Sequence, residues 1–426
     1  MLVYLISYFA SYLFAKISLH ALSGLVLLFA AICLYFEDYK KERRLIHLRG
    51  IFALSFVGGQ ALSCFKLSYL QKPWNDITWM CFFLAFSAAW LSYEYLSRIM
   101  GSPYIRMRGR GPKQSYNSIF FAIPVISMLS LTAFVIEVSI LKYIPFFVRG
   151  VPHAYSYFHV SGLHYFTVSC VLVPALSVIY YIKKRYLENL DILVLGISNF
   201  IALSIPILCV SRFQFIFAVM LAVFCFFALQ KSSHIWIVFP AFLCVLLVYI
   251  ILTIARSHDI AYLNEIFEMR FKLPIFISQP YIYIANNYDN FNHMTEVLPR
   301  HSYGLKMLFP LFALSGLKFK YPKLVDFPIY TTKTELSTLT LFYDAYYDFG
   351  VTGVILLSVL IGAAMYAFER WIREEENPVS LLFYAQFGIY LLLSFFTTWF
   401  SNPTTWFYFV LTLLIYLAYR AERRRE

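Results

Sequence analysis

Charged residues are scarce in this sequence. Of its 426 residues, 14% are charged and 61% are hydrophobic, whereas a soluble globular chain carries about 25% charged residues. The composition therefore argues against a soluble protein and, in spite of a net charge of +12, against a nucleic-acid-binding one. The apolar residues form long runs that do not alternate with polar residues. This pattern is typical of membrane-spanning helices and not of the strands of a membrane β-barrel.

Motifs for metal or nucleotide chemistry are absent as well. The chain has no D-x-D, H-E-x-x-H or G-x-x-x-x-G-K-[ST] sequence, so metal-dependent sugar-nucleotide transfer, zinc protease chemistry and ATP hydrolysis lack support. None of the seven cysteines has C-x-x-C spacing, which disfavours a disulfide framework or a zinc site. We therefore predict no metal and no cofactor. The N-terminus has no basic segment and no small-residue cleavage site, so the first apolar run is expected to remain as a helix.

The apolar runs divide into candidate membrane spans. Because a helix needs roughly 20 apolar residues to cross a bilayer, the predicted fold is an all-α polytopic membrane protein with about 12 transmembrane helices. The first run is short, and 2–36 could instead form one broken segment. The predicted spans lie near 2–15, 19–36, 50–69, 77–97, 118–141, 161–182, 190–208, 213–230, 235–255, 347–369, 380–399 and 404–419.

Lysine and arginine predict the orientation of these spans. Every second connection is basic, and these connections hold 20 of the 35 basic residues, whereas the short opposite connections hold six. Since basic connections remain in the cytoplasm, both termini are predicted to be cytoplasmic. The basic stretch RMRGRGPK (106–113) is explained by attraction to anionic lipid. Membrane lipid is therefore an expected partner and nucleic acid is not.

The predicted organisation has three parts. Residues 1–255 form a nine-helix transmembrane part, 256–346 form one large outer loop, and 347–426 form three C-terminal transmembrane helices with a basic tail. Within the loop, the apolar stretch 305–317 predicts a short interfacial helix, and the polar cluster 286–293 predicts a turn-rich stretch. Long loops in compact proteins are usually functional, so we expect the chemistry in this loop.

The predicted outer face carries side chains that suit a sugar. Aromatic rings stack on the apolar face of a pyranose, while amides and imidazoles form hydrogen bonds with its hydroxyls. The candidate glycan-binding residues are Tyr155 and His159 in one outer connection and Tyr281 and Asn286 in the large loop. The alternative for such aromatics is the belt that many membrane proteins carry at the lipid interface.

Four arginines are candidate pyrophosphate ligands, because the guanidinium fork matches a pair of phosphate oxygens. Arg212 begins a predicted span, Arg256 lies at the mouth of the large loop, and Arg270 and Arg300 lie within the loop. The alternative for an arginine at a membrane edge is that it extends its charge towards the water.

Several acidic and histidine side chains are candidate catalytic bases. Asp344 and Asp348 are four residues apart, so they share one face if the helix has already begun. They predict either a general base near the membrane surface or acids that the helix dipole stabilises. Glu296 and His301 are further candidates in the loop, and no motif selects among them.

Three features resemble the oligosaccharide repeat unit polymerases, the O-antigen and capsule polymerase family of bacterial inner membranes. A mid-chain span opens with a Ser-Arg pair at 211–212, and a single large outer loop precedes the last three predicted spans. The loop ends in a Thr/Leu-rich segment, 331–362, which contains D-F-G at 348–350 and Gly353. The shared organisation covers most of the chain, whereas the motifs are short.

The resemblance implies a membrane glycosyltransferase of the C superfamily. In that family, a growing glycan passes from undecaprenyl pyrophosphate to the non-reducing end of a new lipid-linked repeat unit, and undecaprenyl pyrophosphate leaves. The resemblance implies arginines that clamp the pyrophosphate: Arg212 matches best, and Arg256, Arg270 and Arg300 match by location alone. It also implies lipid-linked glycans and a chain-length regulator as partners. No nucleotide or metal is obligatory, because the leaving group carries its own activation.

Two other functions stay open. An O-antigen ligase-like enzyme uses the same donor with a different acceptor, and a lipid-linked oligosaccharide flippase has a similar number of spans. A flippase needs no long outer loop and would carry charges that line a cavity within its spans. Here charges are nearly absent from the middle of the predicted spans, which favours an enzyme over a transporter.

Overall fold

The structure is a computed structural model that describes residues 1–103, 116–148, 154–184, 186–229, 243, 246–252 and 260–425. Regular structure in these residues is helical, apart from one isolated bridge between Ser68 and Met269. The predicted span at 235–255 lies mostly outside the described residues, and Arg256 lies wholly outside them. In chain order the helices are α1 (Leu2–Lys16), α2 (His20–Glu42), α3 (Leu48–Cys64), α4 (Asp76–Ile99), α5 (Asn117–Leu141), α6 (His164–Lys183), α7 (Asn189–Leu208), α8 (Arg212–Leu229), α9 (Ile260–Phe267), α10 (Ile275–Val297), α11 (Phe309–Leu314), α12 (Leu317–Lys320), α13 (Tyr343–Glu374), α14 (Ser380–Leu392) and α15 (Pro403–Arg423).

Seven of the described helices are long and apolar enough to cross a membrane, namely α2, α5, α6, α7, α8, α13 and α15. The helices α1, α3 and α14 are apolar but shorter, with 10–17 residues. Large apolar side chains such as Phe121 and Phe200 lie exposed on the outside of the bundle, where lipid rather than water suits them. The prediction of a helical multi-pass membrane protein is confirmed at this level. The count of 12 spans and the single large outer loop stay predictions.

The first apolar stretch forms two helices joined by a short turn. α1 and α2 pack against each other along their length, and the Ser11 hydroxyl donates to Ser23 O at 3.0 Å. Small side chains at this contact allow the two backbones to approach closely. The N-terminal stretch is therefore a helical pair, as the span list predicts, and not one broken segment.

Contacts between helix termini show which connections lie at each of the two ends of the bundle. At the first end, Arg373 pairs with Glu42 at 3.1 Å. At the opposite end, Lys16 pairs with Asp76 at 2.6 Å, and Leu341 N donates to Ser394 O at 2.7 Å. The described parts of three basic connections, 37–49, 98–103 and 370–373, thus come together at one end of the bundle. We call it the basic end (43–47, 100–103 and 375–379), and we call the opposite end the loop end (17–19, 65–75, 298–342 and 393–402).

The polar cluster at 286–293 lies inside a buried helix, so the predicted turn-rich stretch is wrong. α10 packs against α3 and α4 at the loop end, and residues 285–292 are all buried. Their amides pair outside the helix: Asn287 Nδ2 donates to Phe395 O at 2.6 Å, and Asn290 Nδ2 donates to Leu336 O at 2.8 Å. Turn propensity is a local preference of exposed chain, and here the pairing of buried amides outweighs it.

Gly59 allows α10 to lie close to α3. Tyr288 is fully buried, and its hydroxyl donates to Phe56 O at 2.9 Å. A Cβ at position 59 would lie 2.3 Å from that hydroxyl, whereas the nearest atom to a Cβ at position 58 would be 4.0 Å away.

We predict that Gly59→Ala lowers the melting temperature of the protein in detergent, because the added methyl group forces Tyr288 out of its place. Overpacking of this kind costs about 1–3 kcal/mol. Gly58→Ala is the matched control and should melt like the wild type. Thermal unfolding of the three proteins checks the prediction, and equal melting temperatures would contradict the close contact of α3 with α10.

Candidate functional site

A kink in α13 sets the direction of the two aspartates that the sequence singles out. Phe349 and Gly350 have non-helical backbone angles inside this helix, and Gly350 has φ 60° and ψ −143°. Only glycine adopts that combination readily. The short helical segment before the kink therefore carries Asp344 and Asp348 at the loop end, apart from the long helical segment that follows.

Asp348 fastens the connection 302–307 to α13. Its carboxylate is fully buried and accepts hydrogen bonds from the Ser302 hydroxyl, from Lys306 N at 3.1 Å and from Met307 N at 2.8 Å. Both carboxylate oxygens are thus engaged with the chain itself. This geometry favours a structural task for Asp348, and it fixes the place where the Lys306 side chain begins.

A polar cleft lies beside this connection. Its volume is about 360 Å³, and its polar lining is Lys306, Asp344, Thr397, Thr398, Ser401 and Asn402. Lys306 Nζ lies 3.5 Å from Asp344 Oδ1 and 4.4 Å from the ring centre of Tyr347. Asp344 Oδ1 is buried and makes no hydrogen bond with the described residues. The cleft therefore holds a lysine and an aspartate that form an ion pair with each other.

An aromatic cavity adjoins the polar cleft across the turn 397–405. Its volume is about 230 Å³, and Asn402 lines both spaces. The two cavities thus share a wall but differ in chemistry, since the first has charged side chains and the second mostly rings. The lining of the aromatic cavity comprises His164, Val168, Val171, Phe213, Gln214, Phe217, Tyr390, Trp399, Asn402, Thr404, Thr405 and Tyr408.

A third pocket lies above a buried ion pair on α10. Lys66 Nζ lies 2.5 Å from Asp289 Oδ1, and both side chains are at most 4% exposed. The pocket has a volume of about 200 Å³, and its lining includes Lys72, His293 and the predicted base Glu296. Glu296 accepts a hydrogen bond from Asn292 Nδ2 at 3.0 Å. We call this space the Asp289 pocket.

The candidate arginines that the structure describes do not meet in one place. Arg212 is 8% exposed, and its guanidinium lies 5.0 Å from the ring centre of Tyr249. Arg270 is exposed on the loop end, 5.2 Å from the ring centre of Tyr69. Arg300 is exposed at the loop end and is not part of the lining of the polar cleft.

The other candidate residues differ in accessibility. Tyr281 is buried and donates to Gln71 Oε1 at 2.6 Å, and Asn286 is buried and accepts from Thr332 Oγ1 at 3.0 Å. His301 Nδ1 lies 3.2 Å from Tyr347 O. His159 lies beside His164, and partial desolvation followed by the charge of His164 lowers the pKa of His159. The Tyr155 side chain lies outside the described part of the chain.

Sequence reasoning missed Lys306 and Glu137. Lys306 is one of nine basic residues in the predicted loop, and nothing in its neighbourhood sets it apart. Glu137 does carry a signal, because it is the one charged residue in the apolar run 117–141. A lone ionisable residue in such a run is a functional candidate by default.

Compared with family models, with curated proteins and with solved structures, the chain matches none of them.

We predict that Asp348→Asn lowers the stability of the protein. The amide NH₂ of asparagine would face a backbone N–H, which now donates a hydrogen bond to the carboxylate. The loss of hydrogen bonds to a charged group costs about 1.5–3 kcal/mol. Asp326→Asn, an exposed position in the same part of the chain, is the matched control. Thermal unfolding in detergent checks this. If the Asp348→Asn protein has unchanged stability but no turnover, the result would instead indicate that Asp348 is a catalytic base.

Proposed function

We propose that this chain is a membrane glycosyltransferase that polymerises undecaprenyl-pyrophosphate-linked oligosaccharide repeat units into an O-antigen or capsular polysaccharide. The reaction takes place at the outer face of the bacterial inner membrane, to which the loop end is assigned, with both termini in the cytoplasm. The growing glycan leaves its lipid pyrophosphate and joins a new lipid-linked unit.

One observation carries the proposal, namely that the polar cleft and the aromatic cavity share the wall at Asn402. A transfer reaction needs a donor site and an acceptor site whose reacting atoms can meet. The cleft has a lysine to hold the pyrophosphate of a donor, and the cavity has the rings that suit a sugar.

The charge of the leaving group determines what the protein must supply. Negative charge develops on pyrophosphate as the glycosidic bond breaks, and fixed cations in a site with little water stabilise it strongly. Lys306 lies in the cleft. Arg212 begins α8, whose next two residues, Phe213 and Gln214, line the aromatic cavity. These cations support a pyrophosphate donor.

Deletion of the gene distinguishes the proposed polymerase from its rivals. We expect the host to attach single repeat units, which a gel of its lipopolysaccharide or capsule resolves as one short band in place of a ladder. Loss of a flippase would leave no repeat unit attached, because none reaches the outer face. A ligase defect would leave lipid-linked polymer that is not attached. Either of these last two patterns would refute the polymerase.

We predict that Arg212→Ala abolishes polymer while the amount of protein in the membrane is unchanged, because a phosphate contact is lost. Arg212→Lys should recover part of the polymer, since lysine keeps the charge but not the bidentate geometry. Arg98→Ala is the control. Arg98 is 78% exposed and lies at the C-terminal end of α4, next to the basic end and away from the loop end. The readout is the polymer ladder per unit of protein on an immunoblot. A full ladder from Arg212→Ala would remove Arg212 from the site.

A further inference from the structure

Five aromatic rings in the lining of the aromatic cavity pack against one another. Trp399 stacks on Tyr390 at a centroid distance of 4.9 Å and on Phe213 at 5.8 Å. Phe217 lies 6.0 Å from Tyr408, which completes the wall. Adjacent aromatic rings make an apolar wall, and such a wall can pack against the C–H face of a pyranose.

Three polar atoms of the lining have no hydrogen-bond partner. Gln214 Oε1, Tyr390 OH and Thr405 Oγ1 are buried and unpaired within the described part of the chain. The hydroxyls of Tyr390 and Thr405 interact with each other, but neither forms a hydrogen bond of ordinary geometry with the described residues. Buried polar atoms are nearly always paired, because an unpaired one costs free energy. Three of them around one cavity point to a ligand that has several hydroxyl or amide groups.

A buried carboxylate and a histidine lie on the same wall. Glu137 is fully buried, and its two oxygens each lie 3.1 Å from Nδ1 of His164. Thr167 Oγ1 donates to the same carboxylate at 2.7 Å, and Val160 N donates at 3.0 Å. The carboxylate therefore fixes the orientation of the imidazole, as the aspartate does in a serine protease triad.

Helix stability does not explain why Glu137 is there. It lies within the last turns of α5, and the negative end of the helix dipole disfavours an acid at that place. His164 lines the aromatic cavity, and its Nε2 forms no hydrogen bond with the described residues. With Nδ1 committed to Glu137, Nε2 is the nitrogen available to a ligand. An imidazole held in this way is a typical general base.

We propose that the aromatic cavity is the acceptor subsite for a neutral pyranose of the lipid-linked repeat unit, and that His164 removes the proton of the acceptor hydroxyl. This proposal rests on the proposed glycosyl transfer. Glu137 is a positioning residue that acts through His164. The described lining contains no lysine or arginine, which suits an uncharged sugar, and a volume of about 230 Å³ suits one ring rather than a chain of several.

The step balances without any added oxidant, metal or nucleotide. The acceptor oxygen forms a bond to the anomeric carbon of the donor glycan while the bond from that carbon to the pyrophosphate oxygen breaks. The pyrophosphate leaves with the bonding electron pair, next to Lys306 in the polar cleft. The proton of the acceptor hydroxyl moves to Nε2 of His164 and then to water.

The first experiment removes the unpaired hydroxyls and compares activity with stability. Purified protein in liposomes receives lipid-linked repeat units extracted from the deletion strain, and polymer is followed by gel. Tyr390→Phe and Thr405→Val should each lower the rate at least about tenfold, because a hydrogen bond to the sugar is lost. Their melting temperatures should stay the same or rise, because an unpaired polar atom has been removed.

Thr412→Val is the matched control on the same helix as Thr405. The Thr412 hydroxyl accepts from Gln386 Nε2 at 2.6 Å and donates to Tyr408 O at 2.8 Å, so this variant should melt earlier and keep its rate per folded molecule. Unchanged rates in both Tyr390→Phe and Thr405→Val would overturn the acceptor subsite.

The second experiment tests the base. His164→Ala should lower kcat roughly 100-fold or more, and added imidazoles should restore activity in an order that follows their basicity. Glu137→Gln should lower kcat and leave KM unchanged, because Glu137 does not touch the sugar. His20→Ala, also at the loop end, is the control and should keep full activity. Full activity in His164→Ala, or a loss that imidazoles do not restore, would overturn the role of His164.

The assay distinguishes a failure of this inference from a failure of the proposed function. If the wild-type protein makes no polymer from the extracted repeat units, glycosyl transfer itself is refuted. If the wild-type protein makes polymer and the cavity variants make it at the same rate, only the acceptor subsite and its base are refuted.

Discussion

A polar group buried in an apolar bundle must find its partner inside the protein, and that constraint organises the loop end. The Asp289 carboxylate accepts hydrogen bonds from Lys66, Gln71 and Trp74, and also from Ser63. These contacts tie the connection between α3 and α4 to α10. An unpaired carboxylate in such a place would cost several kcal/mol. The chain can therefore bury α10, in spite of its amides and its acid, only in the one position that supplies these donors.

Some of the departures from this constraint lie at the two adjoining cavities, and others, such as those of Tyr4 and Gln60, lie elsewhere in the described bundle. Among the described residues, Asp344, Gln214, Tyr390 and Thr405 each have a buried atom without a hydrogen bond of ordinary geometry, and each lines one of two adjoining cavities. Proteins retain such costs mainly where a ligand or a reaction needs the group. His47 at the basic end shows the other outcome. Both its ring nitrogens are unpaired, and burial lowers its pKa to about 4, so it remains a neutral ring packed against Tyr35.

Helix bounds were predictable where a run is apolar from end to end. The predicted spans 118–141 and 190–208 correspond to Asn117–Leu141 and Asn189–Leu208, because a membrane helix is specified by length and hydropathy alone. The prediction failed for α10, whose asparagines indicate a turn to any local rule but pair with distant backbone in the fold. Among candidate bases, the i and i+4 spacing of Asp344 and Asp348 was visible, whereas their different partners were not.

The sequence by itself determined that this is an apolar helical chain with alternating basic connections, since both properties are sums over local residues. Only the tertiary structure decided which polar groups are paired and which border a cavity. Glu137 and His164 are 27 residues apart, Thr405 comes from the last helix, and Lys306 meets Asp344, which is 38 positions further along the chain. A cavity is made of surfaces that distant segments leave uncovered, and no local pattern records where those surfaces meet.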